Sequence, residues 1–186
     1  MLFRSITTKA GSSTSAVRKQ AIQDLPLAEL NEEGKAKVNG VLANLAMFRR
    51  LPTLTFEVDP DVYNYFIRHP DVAVATWRAM EISKFQLNEV APDHFDADAG
   101  DGSVGHIQIL RQTPTETLIH CDGAFKSPLL PRPIMARAVM RLQTSFTKEA
   151  DGRLVGTHSG DVFVEFPSQA VETIAKVISQ IGRAHV

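Results

Sequence analysis

Almost nothing in this chain is available to cross-link it. One cysteine, Cys121, stands among 186 residues, which excludes an internal disulfide framework and leaves the redox compartment undecided. No apolar run approaches the roughly 20 residues of a membrane span. No compact apolar core near the N-terminus marks a secretory signal. An excess of one charge is also missing. Lys and Arg number 20 against 21 Asp and Glu, a formal net charge of −1, so composition gives no reason to expect nucleic acid or a membrane surface as partner. No internal repeat of fixed period is found. What remains is an ordinary globular composition, 44% apolar and 22% charged, at a length that suits one domain with an appended segment. The expected compartment is the cytoplasm, and no cofactor is expected.

The terminal stretches MLFRS and IGRAHV resemble translated adapter DNA and are kept out of site arguments. Between Ile6 and Asp24, Lys9, Arg18 and Lys19 lie among Ser and Thr with no acid before Asp24. That composition mimics an organelle transit peptide, but it reads more simply as a disordered polar leader over residues 1–26. Residues 27–50 read as one helix. Leu27, Leu30, Val38, Val41, Leu42, Leu45 and Phe48 mark an apolar stripe, and Pro52 stops it. The stripe must bury against the main domain or against another chain. Association through this helix, with a second protein or a second copy, is therefore one reading of the protein.

From Thr53 the periodicity changes. TLTFEV is a short strand. Asp59-Pro60 opens a helix with Val62, Tyr63, Phe66 and Ile67 on its apolar side. Pro70 breaks it, and Asp71 is placed to cap a second helix through Val74, Trp77 and Met80. Strand then follows strand. The first carries Phe85, Leu87 and Glu89 in alternation. His94 to Asp98, Val104 to Gln112 and Glu116 to Lys126 follow. Ile134 to Lys148 shows Met140, Leu142 and Thr144 on one face and Arg137 and Arg141 on the other, the latter expected to be wet. A hairpin turn at Ala150-Asp151-Gly152 leads into Arg153 to Phe166. There Leu154, Gly156, His158, Gly160, Val162 and Val164 alternate with Val155, Thr157, Ser159, Asp161, Phe163 and Glu165. The first set is the candidate buried face. After Pro167, Ser168 caps a closing helix with Val171, Ile174, Ala175, Ile178 and Ile181 on one stripe.

This element order resembles the START-like (SRPBCC) helix-grip superfamily, which includes polyketide cyclase/dehydrase and lipid-transport proteins. The resemblance covers roughly residues 53–181. It rests on FEVDPDVYNYFIRHPDVAVATW, on the long hairpin TSFTKEADGRLVGTHSGDVFVEF, and on the helix that follows. It implies an α+β fold, order β-α-α-β-β-β-β-β-β-α, in which a seven-stranded antiparallel sheet curves around the C-terminal helix, with the helix at 27–50 as an addition. It also implies a cavity for lipids, quinones, polyketides or hormones. The fold alone does not imply a reaction.

The pocket-facing candidates are Phe85, Leu87, Met140, Leu142, His158, Val162, Ile174 and Ile178, with Trp77 and Met80 at the helix–helix end. His158 is the polar group on an otherwise small and apolar face, placed to orient a ligand; the plain alternative is a histidine satisfied by its neighbours. His120 and Asp122 share one side of their strand and suit a base with its orienter if both face inward, while Cys121 and Phe125 claim the opposite side, which leaves the inward side of this strand open. A metal site of His106, His120 and His158 has no supporting spacing. The acidic turn DADAGDG fails as a calcium loop, since glycine stands where a ligand is needed. Ser159 beside His158 is no triad, because neighbours on a strand face apart. The loop Ser127 to Pro133 suits a cavity rim, a lid or a docking surface, and equally a packed connection. The expected function is binding of a hydrophobic small molecule, with transport as one form of it and with little or no catalysis. The alternatives are a cyclase or hydrolase using an inward histidine as acid and base, and the interaction module above.

Overall fold

A computed structural model describes residues 6–126 and 132–167. Strands β1 (Ile6–Lys9), β2 (Leu45–Arg50), β3 (Thr53–Glu57), β4 (Gln86–Ala91), β5 (His94–Asp98), β6 (Val104–Gln112), β7 (Glu116–Phe125), β8 (Ile134–Lys148) and β9 (Leu154–Glu165) alternate with helices α1 (Ser15–Gln23), α2 (Glu32–Ala43), α3 (Pro60–Arg68) and α4 (Pro70–Ala79). The nine strands form one open sheet in the order β1-β3-β9-β8-β7-β6-β5-β4, with β2 also on β9. Every pairing is antiparallel. The chain is therefore α+β. From β3 to β9 the elements follow the expected order of strand, two helices and six strands. The closing helix, with Ile174 and Ile178, and residues 127–131 of the loop lie outside the described residues.

The N-terminal region differs from expectation. Residues 6–9 and 15–23 form a strand and a helix where composition suggested a disordered leader. Thr14 caps α1 by accepting from the Val17 amide, and Ala21 and Leu25, four residues apart, are buried. The segment 27–50 divides into a 3₁₀ turn (Leu27–Glu29), α2 and β2. Asn31 caps α2 by accepting from the Gly34 amide at 2.7 Å, and Glu32 and Glu33 occupy its first turn, where negative charge is favoured. The misleading signal was Leu42, Leu45 and Phe48, spaced i, i+3, i+6. That spacing suits a helix, yet Phe48 also faces one side of an extended strand.

β2 and β3 lie end to end along one edge of β9. Arg50 pairs with Asp161 and Leu54 with His158, so one extra residue is accommodated at Leu51-Pro52, where the Leu51 amide still donates to the Gly160 carbonyl at 2.8 Å. Pro52 has no N–H to offer a ladder and falls in this gap.

Both faces of the sheet are covered, which corrects the expectation of one buried and one wet side. On the face carrying Phe163, α1 and α2 pack Ala21, Leu25, Val38 and Val41 against Phe48, Leu118, Val139 and Phe163. The apolar stripe of α2 is thus spent on its own sheet. Arg141, expected to be wet, lies on this face with its side chain 12% exposed. It pairs with Glu116, which also takes Arg111, which in turn reaches Glu29. Arg137 is half-exposed beside Glu165. On the opposite face, α4 sets Val74 against Leu87, Phe95 and Ile107. Asp59 caps α3 as expected, by accepting from the Asp61 and Val62 amides. α4 instead begins at Pro70 with His69 as its cap residue, so Asp71 falls in its first turn.

Candidate functional site

The polar centre of the second face is built by α3, β8 and β9. The register sets Thr144 beside His158, and α3 lowers Tyr63 onto both. Tyr63 Oη stands 2.7 Å from Thr144 Oγ1 and 2.9 Å from His158 Nδ1, and Thr144 Oγ1 is also 2.9 Å from His158 Nδ1. Two hydroxyl protons cannot fill three contacts; either neutral tautomer satisfies two of them, with Nδ1 accepting from a hydroxyl or Nδ1–H donating to one. Phe146 closes one side, edge-on to Tyr63. Burial holds the imidazole of His158 below its ordinary pKa. Burial also raises the phenol of Tyr63, partly offset by its bond to Thr144. Both groups are therefore neutral near pH 7. Among the described residues no carboxylate is bonded to His158.

The same face carries a hollow of about 230 Å³. Its floor is Ala97, Gly105, Cys121, Gly123, Ala136 and Ala138, and Phe85 and Phe125 also line it. Small side chains on four neighbouring strands leave this space. Gly105 and Gly123 stand opposite each other. A Cβ on Gly123 would lie 2.5 Å from the Gly105 Cα and closer still to the Val104 carbonyl, so the two strands approach as only glycine allows. Cys121 faces the hollow, and burial raises its thiol to about 11, which keeps it protonated and inert.

The candidates predicted from sequence are distributed as follows. Met140 pairs with Val162 and Leu142 with Gly160, which places Met140, Leu142 and Val162 on the face of His158. They lie between the hollow and the Tyr63 cluster. Ala138 and Thr144 are six positions apart on one strand, about 20 Å at roughly 3.3 Å per residue. The hollow and the cluster are therefore opposite ends of one surface. Phe85 lines the hollow, while Leu87 is buried against Val74 and Phe95. Trp77 and Met80 are 49% and 62% exposed at the end of α4, a correction to their expected place in a cavity; α4 turns Val74 inward instead. His120 is also corrected. It pairs with Val139 and Asp122 with Arg137, so both face α2, opposite His158, and Cys121 takes the inward side. His120 is buried, 3.8 Å from Asp122, and burial lowers its pKa against the pull of that carboxylate. His106 shares the face of His120 and not that of His158, which splits the three-histidine metal site. In the acidic turn, Asp98 and Asp101 accept from the Gly100 and Ser103 amides at 2.8 Å each, which is turn chemistry.

Tyr63 and Thr144 were missed as site residues. Tyr63 was read as part of an apolar helix face. Thr144 interrupts the Met140–Leu142–Phe146 face just as His158 interrupts its own, and that shared break was the available signal.

The two lowered imidazoles have a consequence for stability. Above about pH 6.5 His120 and His158 are neutral in folded and unfolded chains alike. As pH falls through that value, the unfolded chain takes up protons that the folded chain refuses, so stability declines until the lowered folded values are passed. The thermal midpoint is expected to fall between about pH 7 and about pH 5, and His158→Gln to flatten the slope. A wild-type midpoint unchanged over that range would contradict the assignment.

No helix among the described residues is long and apolar enough to cross a membrane. In comparisons with known proteins, no family model matches the chain and no curated protein matches it.

Proposed function

We propose that the chain binds a hydrophobic small molecule on the His158 face of the sheet, within a START-like helix-grip fold. The observation that carries this reading is the hollow over Ala97, Gly105, Cys121, Gly123, Ala136 and Ala138. A floor of small side chains over four strands leaves apolar surface for something else to fill. The hollow's 230 Å³ falls below the ~300–1,000 Å³ of drug-sized sites, so it takes a ring or the end of an acyl chain. Met140 and Leu142 continue the apolar track toward Tyr63 and His158, whose hydroxyl and imidazole are the polar groups to meet a carbonyl or hydroxyl oxygen. The fold assignment is supported by strand order: the first strand of the β3–β9 unit pairs with its last, and the strands between follow in sequence.

Native mass spectrometry of the purified chain, then denaturation and analysis of what leaves, tests this. A co-purifying lipid, quinone or aromatic, displaced in Ala138→Trp, is the expected result. An empty protein that also fails to bind apolar fluorescent probes would refute it.

A further inference from the structure

The face opposite the proposed ligand site carries a second constellation. Two His-x-Asp sequences, His94–Asp96 on β5 and His120–Asp122 on β7, flank β6. The register lays them side by side. His94, Gln108 and His120 form one row, and Asp96, His106 and Asp122 the next. His106 thus stands between two aspartates. His94 Nδ1 and His106 Nε2 are 2.9 Å apart, and His106 Nδ1 meets Asp96 Oδ1 at 3.1 Å. From α2, Lys37 reaches Gln108 and is neutralised by Glu33 at 2.7 Å. A trough of about 510 Å³, lined by Asp96, His106 and Asp122 with Asn88 and Met135, opens beside the pair.

We infer that His94 and His106 form a binding site for a divalent transition-metal ion, with Asp96 as the group that orients His106. Asp96 as acceptor favours the proton of His106 on Nδ1, so across the 2.9 Å contact His94 Nδ1–H donates to His106 Nε2, and a bound metal ion takes the place of that proton, which leaves to solvent. Imidazole nitrogens bind such ions at about 2.0–2.1 Å. Two nitrogens 2.9 Å apart then subtend about 90° at the ion, the cis angle of square-planar and octahedral sites. A tetrahedral pair would stand about 3.4 Å apart. The spacing of this pair suits a cis arrangement, and the Irving–Williams order places Cu²⁺ above both Ni²⁺ and Zn²⁺ at such nitrogens. Among the described residues no group of three or more His, Cys, Asp or Glu is placed to hold a metal, so the other positions belong to water or to a molecule in the trough. The proposed ligand site lies on the opposite face, and His106 and Asp122 contribute to the lining of both the hollow and the trough.

Metal-stripped protein titrated with CuCl₂, followed by calorimetry and electron paramagnetic resonance, decides it. The expected result is one Cu²⁺ per chain with hyperfine structure from two imidazole nitrogens. His94→Gln and His106→Gln should each remove one nitrogen from that signature. Asp96→Asn keeps both donors and should weaken binding by about 10–100-fold, while His69→Gln changes nothing. Circular dichroism confirms that each variant is folded. Absence of binding, or a signature unchanged in both His94→Gln and His106→Gln, would overturn the proposal.

Discussion

Arg50→Ala is expected to destabilise the fold by about 3 kcal/mol, because it strands a buried carboxylate. Asp161 is 3% exposed and receives both arms of the guanidinium, Nε and Nη2, at 2.7 Å each. Arg50 itself is partly open to water, with its side chain 27% exposed, so solvent entering the vacated space softens the loss toward the lower end of the usual ~3–5 kcal/mol. The same residue joins the N-terminal segment to the sheet, since its amide and carbonyl exchange bonds with Ser12 at 2.7 and 2.9 Å. Urea unfolding at neutral pH measures the loss. The double variant Arg50→Met with Asp161→Leu removes both charges, and it should recover much of the stability that the single change forfeits. Equal midpoints for wild type and Arg50→Ala would show that the pair contributes nothing.

Gly123→Ala should be at least as damaging, by about 3 kcal/mol or more. The added methyl meets backbone, the Val104 carbonyl and the Gly105 Cα, and backbone cannot rotate away as a side chain can. β6 and β7 must separate at their Gly105–Gly123 pair, which also deforms the floor of the hollow. For a chain of this size each kcal/mol lowers Tm by roughly 2–4 °C, so a fall of about 6–12 °C is expected. Gly152→Ala serves as the comparison. No atom lies within 4 Å of its added Cβ, so its cost comes only from a φ of +87°. A Gly123→Ala midpoint no lower than that of Gly152→Ala would contradict the close-approach argument.

From Thr53 to Glu165 the chain was readable because its signals are local. Alternation fixed the strands, and Asp59-Pro60, Gly100, Gly102 and Gly152 marked where they begin or turn. Alternation also sorted β9 into two sets, with His158 on one and Phe163 on the other. It does not say what covers each set. Phe163 and Val139 are fully buried only because α2, about a hundred residues earlier in the chain, brings Val38 and Val41 onto them. Separation in sequence also hid the destination of Arg141, whose partner Glu116, shared with Arg111, lies on the neighbouring strand. His120 went astray for this reason as well, since its strand has apolar residues on both sides. The Tyr63–Thr144–His158 cluster joins three elements over 95 positions, and single-strand periodicity cannot reach that far.

The end-to-end arrangement of β2 and β3 along β9 also governs the order in which the molecule can assemble. Leu54 waits for His158 and Arg50 for Asp161, residues 111 positions apart in the latter case. During synthesis the stretch 45–57 emerges early, yet its ladder partner is the last described strand. Until β9 arrives, β4 to β8 can zip hairpin by hairpin while residues 45–50 have no strand to pair with. Pairings so distant in sequence slow folding, and an unmatched strand is the part of a nascent chain most open to wrong partners. Completion of the sheet is therefore one late, long-range event, and the seam between residues 45–57 and 154–165 is where it occurs.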